Sequence, residues 1–128
     1  MDDEPSVRAA KTVAFVERLV ARFPALAEDY ECHIANNGET LAYVFTGMEL
    51  MDAVVGAYLD DEEYQDLDWA AVLDYLDGEY ATAGPEARSV LVTSFVLDLP
   101  FSHQPGYGLV AHLGPQLAQA FAKHRPLG

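Results

Sequence analysis

Cys32 and His33 are the residue types of a thiol nucleophile and its base, and they are adjacent in the chain. On a helix, consecutive side chains diverge by about 100°, so this pair does not place a base beside its nucleophile. Cys32 is therefore expected to be a small packing residue. His33, His103, His112 and His124 never form a close pair, and neither His-Glu-x-x-His nor Cys-x-x-Cys is present. A single thiol supplies neither an intrachain disulfide nor a four-cysteine zinc site. Ser89, Ser94 and Ser102 lack a nucleophile-elbow context, and Gly106-Tyr107-Gly108 lacks the further Gly and Lys of a phosphate cradle. Asp60-Asp61-Glu62-Glu63 lacks the alternating ligands and central Gly of a calcium loop. Asp98 is the most isolated acid and is expected to bond a backbone donor or face solvent. No catalytic, cofactor or metal-ligating residue is assigned, and the chain is read as non-enzymatic.

What the sequence does concentrate is negative charge. The 128 residues carry 21 Asp plus Glu against 7 Lys plus Arg, a formal net charge of −14. Such a chain repels a phosphate backbone and lacks the clustered cations that would neutralise one, so neither nucleic acid nor an anionic membrane is an expected partner. Glu39 to Glu86 holds thirteen acids and no Lys or Arg, whereas the first helical stretch carries Arg8, Lys11, Arg18 and Arg22. Glu49 and Asp52 are three apart, as are Asp74 and Asp77, and the turn Asp60, Asp61, Glu62, Glu63 joins their two helices. With Asp66 and the interleaved Tyr64, these residues form the expected partner-binding surface, an acidic rim around an aromatic anchor. A basic protein is the partner such a surface would take. The alternative is that the charge serves solubility.

Apolar residues recur at helical spacing through most of the chain, which predicts an all-α fold: one compact bundle of five or six helices spanning 1–128, with frayed ends at 1–6 and 124–128. Ser6 is expected to cap the first helix, which runs toward Pro24. Pro24 opens a second helix that carries Leu26, Tyr30 and Ile34 and stops at Asn36-Asn37-Gly38. The third, about Thr40 to Leu59, is expected to bury Leu41, Val44, Phe45, Met48, Val55, Tyr58 and Leu59. Asp66 or Asp68 caps a fourth, with Trp69, Val72, Leu73, Leu76 and Tyr80 inward and Asp74 and Asp77 outward. The fifth, near 86–99, is apolar nearly all round and should lie at the centre. After a loop over Ser102 to Gly108 and a short turn at Leu109 to Leu113, Gly114-Pro115 starts the last helix with Leu117 and Phe121 inward.

The N-terminal Met1-Asp2-Asp3-Glu4-Pro5 is unlike a secretory leader, and the longest apolar run falls far short of the roughly 20 residues of a membrane span. A reducing, cytoplasmic setting is expected.

Phe23-Pro24-x-Leu26, Tyr30-x-x-His33, Asn37-Gly38-Glu39-x-Leu41 with Val44-Phe45, Ser94-Phe95-x-x-Asp98-Leu99 and Leu113-Gly114-Pro115-x-Leu117 together resemble a family of small, acidic, all-helical bacterial proteins. That family is similar to immunity proteins, which bind and neutralise a cognate toxin in the producing cell. The resemblance covers about Val16 to Leu117, with Asp98 where Glu would be expected. It implies a helical fold and a toxin domain as the basic partner, and it carries over no catalytic residue. A regulatory or structural adaptor is the rival expectation.

Overall fold

The computed structural model describes residues 5–128. The described residues contain helices and no strand: α1 (Pro5–Arg22), α2 (Ala27–Asn37), α3 (Ala42–Phe45), α4 (Met51–Tyr58), α5 (Trp69–Thr82), α6 (Pro85–Leu91) and α7 (Pro115–His124). A π-helical turn, Thr46–Leu50, fuses α3 to α4 in one continuous rod, and a second, Val92–Val96, extends α6. Three short 3₁₀ turns, Pro24–Leu26, Glu62–Tyr64 and Tyr107–His112, complete the chain. The all-α bundle is as expected, with seven α-helical segments in place of five or six. Of the expected frayed N-terminus, residues 1–4 lie outside the described residues; Ser6 already lies within α1 and so does not precede it as a cap.

The punctuation residues act as their chemistry requires. Gly38 ends α2 at φ 76°, in the left-handed region that side chains resist, and its N–H returns to the Ile34 carbonyl. Asp68 is the cap of α5, its carboxylate accepting from the Ala71 N–H at 3.1 Å. Pro85 and Pro115 open α6 and α7, where a missing N–H costs nothing.

The segment near 86–99 is central, as its all-round apolarity required. α6 packs on α1 and α5, and its π turn packs on α7 and on the other π turn. Val90, Leu91, Phe95, Val96 and Leu99 are fully buried there, beside Phe15, Leu19, Phe45 and Leu73. The 42–58 rod buries a different stripe from the one its large apolar residues mark. Thr46, Leu50, Met51, Ala53, Val54 and Ala57 face inward, while Val44, Met48 and Leu59 are exposed. Two causes act together. The π turn adds a residue to its local repeat and so rotates the inward face beyond it, and small side chains occupy the closest helix approaches, where bulk is excluded.

The C-terminus is not frayed where Arg125 stands. Its side chain is buried, donating from Nη1 to the Val96 and Leu99 carbonyls at 3.2 and 2.6 Å and from Nη2 to that of Pro100 at 3.1 Å. Phe101 and Phe121 lie against its guanidinium at 4.4 and 4.7 Å.

Candidate acidic interface

The acidic region is built by three elements: the start of α2, the 46–58 part of the long rod, and the turn that follows it. α4 ends at Tyr58, and Asp60 takes a left-handed conformation, φ 61°, which Asp tolerates better than most residues. Asp61 then holds the Glu62–Tyr64 turn by accepting from the Glu63 N–H at 3.0 Å. Tyr64 folds back so that its ring lies directly on Gly56, where any Cβ would collide with it. The ring is thus half-buried against α4, with acids on several sides.

Asp29, on α2, joins this group. Partial burial and the nearby Glu63, Glu28, Glu49 and Asp52 raise its carboxyl above the usual 3.8. Burial also raises the Tyr64 phenol, together with Asp29, Glu63, Asp52 and Asp61. These mutual effects define one electrostatic cluster drawn from α2, the rod and the turn. Asp29 was not among the sequence candidates, because it lies outside the cation-free stretch and only the fold brings α2 beside the turn.

Asp52, Asp60, Asp61, Glu62, Glu63, Asp66 and Asp74 are all exposed. Two other expected members are partly buried and make polar contacts within the protein. Glu49 meets the buried His33 at 3.2 Å between Oε1 and Nδ1, and its Oε2 is buried without a hydrogen-bond partner among the described residues. Asp77 does not point away: its Oδ1 accepts from the Leu117 N–H at 2.8 Å, supplying to α7 the cap that Gly114 has no side chain to provide. Asp77 therefore belongs to the start of α7, while the cluster around Tyr64 lies beside α2.

The remaining candidates divide similarly. Cys32 is exposed, contrary to its expected packing role, because the roughly 100° between consecutive helical side chains turns it outward when His33 is buried. Trp69 is partly buried against Tyr58 and His112, each ring centroid 5.0 Å away and steeply inclined. Asp98 is exposed, with its carboxylate over Gly47. Among the described residues no three His, Cys, Asp or Glu side chains gather as a metal-binding group, and no helix is long and apolar enough to cross a membrane.

The Asp29 geometry gives a signed expectation. A carboxyl that holds its proton more tightly when folded than when unfolded opposes folding once ionised. The penalty is absent below the ordinary value of 3.8, grows as pH rises through the elevated folded value, and is complete at neutral pH. Asp29→Asn should stabilise the protein at pH 7, by no more than about 1 kcal/mol for a partly solvated group. Urea titrations should find that gain gone at pH 3; a gain unchanged across that range would assign it to packing.

Comparison with family models, with curated proteins and with solved structures finds no match for this chain.

Proposed function

We propose that this protein is a non-enzymatic binding module of immunity type, which captures a basic protein, a toxin domain, in the cytoplasm of the producing cell. The observation that carries this reading is Tyr64, half-buried on Gly56, with the carboxylates of Asp29, Asp52, Asp61 and Glu63 near enough to raise its phenol. Like charges held together weaken a fold by a few tenths of a kcal/mol per helical pair, so stability is no reason to gather them. A cationic partner offsets that repulsion on docking, and the field accelerates and orients its approach. Tyr64 supplies the aromatic body that anchors such an interface inside its charged rim. Neutralisation would be steric and electrostatic, the module covering the partner's substrate groove.

The test is capture from native-host lysate at low and moderate salt, with mass spectrometry and a toxicity assay of whatever is retained. The variants are Asp52→Lys, Glu62→Lys and Glu63→Lys combined, sparing Asp61 because it holds the turn. A basic, toxic partner should be retained at low salt and released as salt rises, and the triple variant should slow its association at least tenfold. Equal retention by wild type and variant would overturn the acidic-face reading, and a non-toxic partner held at both salts would replace immunity with adaptor function.

A further inference from the structure

A groove lies away from the acidic cluster. It has a volume of about 770 Å³ and runs between α1, the 39–44 segment and the start of α6. That volume falls in the roughly 300–1,000 Å³ range of small-molecule sites. Ala9, Val13, Leu41, Ala42, Val44 and Pro85 give it an apolar wall. The hydroxyls along the wall already have partners inside the protein: Thr12 donates to the Ala9 carbonyl at 2.7 Å, Thr40 meets Tyr30 at 2.6 Å, and Tyr43 meets Ser89 at 2.9 Å. The wall therefore offers a ligand carbon surface more than hydrogen bonds.

Charge at the rim selects the head group. Glu86 is answered by Lys11 at 3.7 Å, and Glu39 stands exposed at the edge of the groove. The other arginines of the chain are engaged: Arg18 with Glu79, Arg22 on the Phe23 ring, Arg88 on the Tyr80 and Ala81 carbonyls, and Arg125 at the C-terminal end of the 92–96 turn. Arg8, which lines the groove, has no ion-pair partner among the described residues. A guanidinium is the natural receptor for a carboxylate. We propose that this groove binds a free fatty acid, its alkyl chain along α1 and the 41–44 segment and its carboxylate on Arg8. None of the exposed acids of the partner surface lines the groove, so this inference stands or falls independently of the proposed function.

Isothermal titration of the full chain with octanoate, decanoate and dodecanoate tests it, with dodecanol and dodecyltrimethylammonium as head-group controls. Each added methylene should tighten binding by about two- to fourfold, the range expected for partial to full burial. Arg8→Gln should weaken dodecanoate about tenfold and leave dodecanol unchanged. Ala9→Trp, placed on an exposed position of the groove wall, should abolish binding of both. The proposal is overturned by absence of binding, by controls that bind as tightly as dodecanoate, by affinity that survives Ala9→Trp, or by association only with anionic vesicles.

Discussion

Arg125→Met is expected to destabilise the protein by about 3 kcal/mol, although the residue is only three positions before Gly128. Methionine replaces much of the carbon volume between Phe101 and Phe121, so what is lost is chiefly the guanidinium. That group donates to three carbonyls, those of Val96, Leu99 and Pro100, where the central helical segment ends and its carbonyls have no further helix to bond. The partial negative charge of a helix C-terminus favours a cation there, and the two flanking rings add their own attraction. Removing the donor leaves buried acceptors unpaired, each at about 1–3 kcal/mol. Lysine should rescue little, since an ammonium cannot span three acceptors with the planar fork that arginine offers. Urea denaturation of wild type, Arg125→Met and Arg125→Lys measures this directly. A loss below about 1 kcal/mol for the methionine variant would mean that water satisfies those carbonyls and that the tail contributes little.

That arginine marks a limit of what the sequence discloses. Helices, turns and the central segment were legible because they rest on local chemistry: Gly38 and Asp68 act within a few residues of themselves, and the apolarity of 90–99 leaves only one place for it. The roles of Arg125, Asp77 and Glu49 depend on partners 16 to 40 positions away, and nothing in a terminal Arg or an acid on a helix announces such a partner. Helical periodicity misled within 42–58 for a related reason. A π turn alters the local repeat without any sequence mark such as Pro, and the residues turned inward, Thr46, Ala53 and Ala57, are ones that hydropathy weighs lightly. For the acidic surface, the turn at 60–63 was evident from composition, but its extension to Asp29 required the fold.

His33→Ala should cost about 3 kcal/mol, and His33→Leu about 2, for reasons that separate volume from hydrogen bonding. The imidazole is 1% exposed, edge-on to Phe45 with ring centroids 5.5 Å apart. Its Nε2 accepts from the Leu41 N–H at 3.0 Å, so that nitrogen is unprotonated and the ring proton sits on Nδ1, facing Glu49 Oε1 at 3.2 Å. One side chain thereby ties three pieces together: α2, which carries it, the 38–41 turn, whose N–H it receives, and the long rod, which presents Glu49. Asn37 holds the backbone of the same residue, its side-chain amide donating to the His33 carbonyl at 2.9 Å. Leucine keeps the packing on Phe45 but strands the Leu41 N–H and deprives Glu49 of its donor; alanine adds a cavity to both losses. The difference between the variants thus reports the packing, and the leucine value reports the polar links. Nitrogen chemical shifts of the ring should show the proton on Nδ1 and not on Nε2, and amide exchange at Leu41 should accelerate in both variants. A leucine variant as stable as wild type, with Leu41 still protected, would reduce His33 to a packing residue and leave the 38–41 turn held by α2 alone.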